Sequence, residues 1–500
     1  MNKKIVSIGI ATIFIIMGLT TASSLEIKNN LNNSGNTIYV DDDNIDGPWD
    51  GTAYHPYRYI QDAVDASNDY DTVFIKSGTY TKNVKINKSI NLIGENLETT
   101  ILNIKDYSNT QFTDAIAVNE DYVTIENLTI TNADTSAITF RYFGPQGYGK
   151  GNNCTINNCY FYNNNVAIYS FIDGIDDGLI SNCIIENSDL GISLGSQTGF
   201  PTGDLSNWVI TDCIIRHTTG GYYSHGIVVR AASSNVLISN CEIYDAEYGI
   251  LSYSGQWIQN QGWIPVKNIE VDNCNIFSCK NGINMNCTYD SIIKNCYIMN
   301  NDIGIKTDSS TDNNKIYSNK FINNDQNAKN KGNNKWDNDY PSGGNYWSDY
   351  TGLDEDNDGI GDTPYYINDN AVDNYPLVCD IDNFAPLKPT ITGPTSGKIN
   401  EEHTYIASCI DPDGNDIQYL FDWGDDSDSG WQSTPSAQHT WSEKSNYEIR
   451  VKAKDSMGAE SDWSEPLEVE ITSKSKALHQ FSFLQRLIKH FPFLSRLFTV

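Results

Sequence analysis

One short pattern returns along the middle of this chain: an apolar residue, a gap, Asn or Asp, then Cys. It reads TINNC at 155–159, LISNC at 179–183, VITDC at 209–213, LISNC at 237–241, EVDNC at 270–274 and IIKNC at 292–296. The cysteines are Cys159, Cys183, Cys213, Cys241, Cys274 and Cys296, so successive spacings are 24, 30, 28, 33 and 22 residues. A recurrence of this length predicts a stacked solenoid, because one unit alone cannot bury its apolar face.

Within each unit lie three short apolar segments, as in SIIKN (291–295), CYIMN (296–300) and GIKTD (304–308). Each is too short for a helix, rich in Ile and Tyr, and bounded by Asn, Asp, Ser or Gly. Three strands in about 22 residues make one coil of a parallel β-helix, so the fold class is all-β. Ile should stack on Ile, and Cys on Cys as a small buried apolar residue. The residues before the cysteines, Asn158, Asn182, Asp212, Asn240, Asn273 and Asn295, read as a corner column able to adopt a left-handed backbone. Asn127 and Asn319 are expected to continue that column. A second recurring pair supports the stack: Gly191-Ile192, Gly226-Ile227, Gly249-Ile250, Gly282-Ile283 and Gly304-Ile305. Column cysteines should stand about 4.8 Å apart, marginal for a disulfide, and each could join only one neighbour. They are read as free thiols; a Cys279–Cys287 bridge stays open.

Residues 38–106 read as an opening cap and first coils. A strand at 37–41 and a short helix over 57–67, with Ile60, Ala63 and Val64 on one face, would cover the apolar end of the stack. The order from TIYVDDDNIDGPWDG through YIQDAVDASNDYDTVFIKSGTY to INLIGEN resembles the start of right-handed parallel β-helix proteins of the pectin-lyase-like type. It is most similar to NosD-type and archaeal surface β-helix proteins. The resemblance covers about 36–330 and implies fold rather than activity, since this fold hosts lyases, hydrolases, epimerases and non-enzymes.

Five segments are expected: a signal peptide (1–24), the right-handed β-helix with its cap (25–335), an acidic calcium-loop linker (336–387), an immunoglobulin-like β-sandwich (388–472) and a basic amphipathic tail (473–500). The start has a basic Met1–Lys4, an apolar run from Ile5 to Leu19 and small residues after it. It predicts export to a secreted or cell-surface location. A formal charge of -31 disfavours nucleic acid, whose phosphates need basic contacts. In LDEDNDGIGDTPYYI (353–367), Asp354, Asp356, Asp358 and Asp362 fit alternating positions of a calcium loop, with Gly359 at its sharp turn. Position 12 is Tyr365, so the bidentate ligand is expected from Asp369 or Asp373 instead. The motifs DPDG (411–414), YLFDWGD (419–425), HTW (439–441) and VKAKDSMGAESDWS (451–464) resemble the polycystic-kidney-disease-type (PKD) repeat. That resemblance implies a spacer or adhesion module. The tail FSFLQRLIKHFPFLSRLF (481–498) reads as an amphipathic helix for an envelope or membrane surface, interrupted at Pro492.

Three insertions follow the third strand of their coils, at 141–151, 196–206 and 253–266. Tyr142, Tyr148, Phe200, Tyr253, Trp257 and Trp263 within them suit the apolar faces of sugars. The alternative is that these rings pack the loops onto the barrel. Candidate catalytic groups are Asp176 and Asp177 with Arg216 and Arg230, as carboxylates and cations of a polysaccharide lyase or glycoside hydrolase. Plain turn chemistry reads the same residues equally well. A copper-associated periplasmic role follows only from the NosD resemblance, because the 7 His and 5 Met form no soft-ligand cluster. The leading expectation is an exported, non-catalytic structural or adhesive protein that binds a polysaccharide or surface glycan, with structural calcium.

Overall fold

The computed structural model describes residues 35–104, 114–140, 150–170, 175–195, 205–218, 224–254, 257–258, 262–355, 358–368, 370–378, 385–411, 416–456 and 458–473. The expected signal segment and tail lie outside them.

Three long parallel sheets of 14, 11 and 10 strands wrap one core. A clean coil contributes one strand to each sheet, as in Ile292–Lys294, Tyr297–Met299 and Ile303–Thr307, and some coils add a short extra strand to the first sheet, such as Leu205–Ser206 and Thr288–Tyr289. The solenoid is right-handed, the hand that parallel crossovers take. Register stacks isoleucine on isoleucine. In the first sheet Ile156, Ile180, Ile210 and Ile238 are successive partners. In the second they are Ile185, Ile215, Ile243, Ile276 and Ile298. In the third they are Ile168, Ile192, Ile227, Ile250, Ile283 and Ile305. All are buried, and full burial of each such side chain contributes about 1.5–3 kcal/mol.

The six cysteines form one buried column, 0–2% exposed. Each Sγ lies 3.6–3.9 Å from a carbonyl of the coil before. They are free, as are Cys279 and Cys287. The preceding Asn or Asp has φ between 48° and 55° in every case, the left-handed corner that Asn and Asp tolerate. Side-chain amides link some of these corners, with Asn158 Nδ2 donating to Asn127 Oδ1 at 2.7 Å and Asn273 Nδ2 to Asn240 Oδ1 at 2.9 Å. Two further left-handed columns turn the other corners. One includes Asn132, Asn163, Asn187, His217, Asp245, Ser278 and Asn300; the other includes Asn153, Asp177, Asn207, Asn235, Asn268 and Asp290. The repeated glycines have a steric cause: a Cβ on Gly191, Gly226, Gly249 or Gly282 would come within 3.0 Å of the next coil's glycine carbonyl oxygen.

Asn319 departs from its expected place. Ser318 takes the left-handed corner, with φ 55°, and Asn319 occupies the inward slot of the cysteine column. It is fully buried. Its Nδ2 donates to Ile293 O (2.9 Å) and to Asn345 Oδ1 (3.0 Å), and its Oδ1 accepts from Cys296 N–H (3.0 Å). The amide is satisfied on both sides, so a polar group can continue a thiol column. Asn345 repeats the arrangement and ends on Asp373, whose Oδ2 accepts from Asn345 N–H (2.7 Å) and Trp347 Nε1–H (2.8 Å).

The ends are closed. The opening helix is shorter than expected, Ile60–Ala66, and buries Ile60, Ala63 and Val64 as expected. At the other end the segment expected as a linker packs as a cap. Tyr346–Trp347 adds a last strand to the second sheet. Phe321, Trp347 and Tyr365 stack successively at 4.3 and 4.2 Å, and Trp336 is fully buried. Solenoid pairing thus runs past residue 335.

The C-terminal domain pairs a three-stranded sheet (Thr390–Thr392, His403–Ser408, Ser436–His439) with a four-stranded one (Ser396–Lys398, Leu467–Thr472, Ser445–Asp455, Ile417–Asp422). Tyr405, Phe421, Trp423, Trp441, Ile449 and Val451 fill its core. The DWGD and HTW motifs meet there: His439 stacks on Trp423 at 4.7 Å and its Nε2 lies 2.9 Å from Asp425 Oδ2. Beside the domain, Leu387 and Ile410 pack against Phe277, Met299 and Ile322 on the outside of the second sheet.

Candidate functional site

The expected catalytic group is not assembled as one site. Asp176 and Asp177 stand at the corner entering the first sheet. Asp176 Oδ1 accepts from Ser206 N–H (2.8 Å) and Oγ–H (2.6 Å), and Asp177 Oδ1 accepts from Asn207 Nδ2 (3.0 Å). Asp177 is itself a left-handed corner, φ 61°. These carboxylates tie one coil to the next. Arg216 lies elsewhere, at the end of a second-sheet strand, and Arg230 ends a third-sheet strand, its Nε donating to Ser193 Oγ at 2.9 Å.

Around Arg216 the fold builds a different constellation. Glu186, Arg216 and Tyr244 are successive register partners on the outer face of the second sheet. Arg216 Nη2 lies 3.1 Å from Glu186 Oε2, and Nη1 donates to Tyr244 OH at 3.1 Å. Tyr160 OH also donates to Glu186 Oε2, at 3.0 Å. Burial opposes the Arg216 charge, but Tyr244 and Glu186 outweigh it and hold the guanidinium firmly cationic. Burial raises Tyr160 and Tyr244 above the usual phenol range; Glu186 adds to the first shift and Arg216 opposes the second. Nearby, His217 Nδ1 lies 2.8 Å from Asp245 Oδ2. Glu242, diagonal to Arg216, has its carboxyl raised by burial, against the pull of Arg216 and Lys388. Sequence reading singled out Arg216 but missed Glu186, Tyr244 and Glu242.

Of the aromatic edge, Tyr142, Tyr148 and Phe200 lie outside the described residues. Tyr253 ends its third-sheet strand and is 42% exposed. Just beyond it Trp257–Ile258 and Gly262–Trp263 form a small antiparallel hairpin in which Trp257 and Trp263 are direct partners.

In the acidic loop Asp356 lies outside the described residues. Asp354 accepts from Asp358 N–H (3.1 Å) and Gly359 N–H (2.9 Å), Asp358 Oδ1 accepts from Ile360 N–H (2.9 Å), and Asp362 Oδ2 from Glu355 N–H (2.7 Å). Gly359 has φ 88°, the turn this loop requires. Asp373, considered as a further ligand, is instead fully buried at the end of the asparagine column; Asp369 lies outside the described residues. Among the described residues no three His, Cys, Asp or Glu side chains group as a metal site.

Comparison with known proteins agrees with this architecture. Residues 150–352 match the family described as "Periplasmic copper-binding protein (NosD)", and residues 389–466 match the PKD domain. Two proteins called "Probable ABC transporter binding protein NosD" are similar over short stretches. That of Stutzerimonas stutzeri is 37% identical over 79 residues, 16% of this chain and 18% of its own length. That of Pseudomonas aeruginosa is 41% identical over 69 residues, 14% and 16% respectively. The matched stretches thus span less than a fifth of either relative. Among solved structures, the PKD domain of an M14-like peptidase from a Thermoplasmatales archaeon is 37% identical, covering 18% of this chain and 98% of that one, TM-score 0.17. The mannuronan C-5 epimerase A-module of Azotobacter vinelandii is 14% identical, covering 55% and 92%, TM-score 0.38.

Proposed function

We propose that this chain, a NosD-type solenoid joined to a PKD-type sandwich, is an exported surface or envelope protein that contacts a glycan and catalyses no reaction. The observation that carries the reading is the third-sheet edge. The insertions at 141–151, 196–206 and 253–266 lie at the ends of strands of that one sheet, and exposed Tyr253 stands beside the hairpin that pairs Trp257 with Trp263. Aromatic residues in repeated insertions suit the apolar faces of sugar rings. The engagement of Asp176, Asp177 and Arg216 in coil-to-coil contacts favours a structural role for each. Polysaccharide lyase or hydrolase activity is the second reading, favoured by the raised carboxyl of Glu242 near Arg216.

Copper does not enter the proposal. The column thiols are buried, at most 2% exposed, and burial holds Cys183 far above the usual thiol range, while hydrogen bonds from its column neighbours Cys213 and Cys274 draw Cys241 the other way. A thiolate is what a soft metal takes. Structural calcium on Asp354, Asp356, Asp358 and Asp362 does belong to it, as does envelope contact through residues 473–500. The test is a glycan array with the mature protein, followed by reducing-end and unsaturated-uronate assays on whatever binds. Binding weakened by Trp257→Ala or Trp263→Ala, with the polymer intact, supports the proposal; product formation overturns its non-catalytic part.

A further inference from the structure

The outside of the second sheet holds a groove that the solenoid and the chain entering the sandwich form together. Its floor comes from the residues one place after successive column cysteines: Glu242, Asn275 and Tyr297 are register partners in adjacent coils. Asp212 and Asn240 form the corner rim, and Leu387 stands in the opposite wall. The space measures about 530 Å³, within the roughly 300–1,000 Å³ typical of ligand sites.

Its chemistry is specific. No hydrogen bond joins the Glu242 carboxyl or the Asn275 amide to another described side chain; Arg216 and Lys388 act on Glu242 through charge alone. A carboxyl and an amide with open valences, one coil apart, match hydroxyls that both donate and accept. The Tyr297 ring and Leu387 supply apolar surface for the carbon face of a sugar. Among the described residues the lining includes two carboxylates, Asp212 and Glu242, and no Lys or Arg. A polyuronate would bring like charge against them; a neutral sugar would not.

We infer that this groove binds a neutral glycan, at a place separate from the insertion-bearing edge; the inference rests on the glycan-contacting reading above. The test is calorimetric titration of the full chain with three hexasaccharides: neutral β-linked glucose, neutral α-linked mannose and β-linked mannuronate. A neutral hexasaccharide should bind. Glu242→Ala and Asn275→Trp should each weaken binding by about tenfold or more, and Tyr54→Ala, on the exposed surface of the opening cap, by less than about twofold. Melting curves that match the parent's keep those losses attributable to the groove. Binding abolished by Trp257→Ala but untouched by Glu242→Ala and Asn275→Trp overturns the groove and leaves the glycan-contacting reading standing. Preference for the mannuronate overturns the neutral assignment. No binding of any of the three overturns the groove, while the wider array still tests the parent reading.

Discussion

Asp373 gives the closing cap a pH dependence of unusual sign. Burial raises its carboxyl from 3.8 to about 6, although Asn345, Trp347 and Tyr375 all donate to it and pull the other way. A shift of about two units corresponds to about 3 kcal/mol. The folded value lies above the unfolded one. Above pH 6 both states are ionised and the fold carries the whole cost. As pH falls from about 6 to 4 the folded state takes up a proton first, so this group's contribution to stability rises; below that window both states are neutral. Asp373→Asn removes the titration. It also places an amide N–H₂ where a carboxylate oxygen accepts, at a cost of about 1–3 kcal/mol for a mismatched buried donor. Near pH 8 the two effects nearly cancel. Near pH 4 the variant should be less stable than the parent by about 1–3 kcal/mol. Denaturant unfolding followed by tryptophan fluorescence between pH 4 and 8 reads this difference, and the surface carboxylates common to both proteins cancel in it. Parallel stability curves for parent and variant would refute the reasoning.

Four further outcomes are expected. Calcium should raise the melting temperature of the parent and leave Asp356→Ala unmoved; equal melting in calcium and chelator rejects the site. Cys213→Ser should cost about 1–3 kcal/mol, because its hydroxyl enters an apolar column; an unchanged denaturant midpoint would contradict that. Asn319→Ala removes an amide bonded to Cys296, Ile293 and Asn345 and should cost on the order of 3 kcal/mol, read in the same unfolding assay. Met299→Asp puts a charge into the cluster with Leu387 and Ile410; it should free the sandwich and lengthen the particle in small-angle scattering, and an unchanged profile would count against that contact.

The solenoid was legible because its signal is periodic. Cysteine and isoleucine columns recur with the same inward register, and a one-residue slip would turn every side chain to the other face. The sandwich was legible from Trp423, Asp425, His439 and Trp441, which meet in or beside one core. Only one of three left-handed corner columns was read, because His217 and Ser278 interrupt one of the others and a cysteine follows a corner of each only once, Cys279 after Ser278 and Cys154 after Asn153. Asn319 was misplaced by one residue for a related reason. Asn serves both as a corner, through its tolerance of positive φ, and as an inward residue, through its two-sided amide. Sequence alone does not say which role a given Asn takes. The acidic segment after 335 was read for its charges, whereas Trp336, Trp347 and Tyr365 decide its packing.

The outer face of the second sheet was encoded but not read. Three residues after each column cysteine stand Tyr162, Glu186, Arg216, Tyr244, Phe277 and Met299, and register makes these successive neighbours in space. Along that column the chemistry changes from an exposed tyrosine through a carboxylate–guanidinium–phenol chain to a buried aromatic and methionine. The column one place after the cysteines changes with it, from Ile184 and Ile214 to Glu242, Asn275 and Tyr297. The apolar end is where Leu387 and Ile410 pack, and the polar neighbours beside it are the floor of the groove. An inward column must stay uniform to keep the core filled, so it advertises the fold. An outward column is free to vary from coil to coil, and its variation marks where the solenoid meets something else. Counting a fixed offset from the inward cysteines would have brought Glu186, Arg216 and Tyr244 together despite intervals of 30 and 28 residues in the chain.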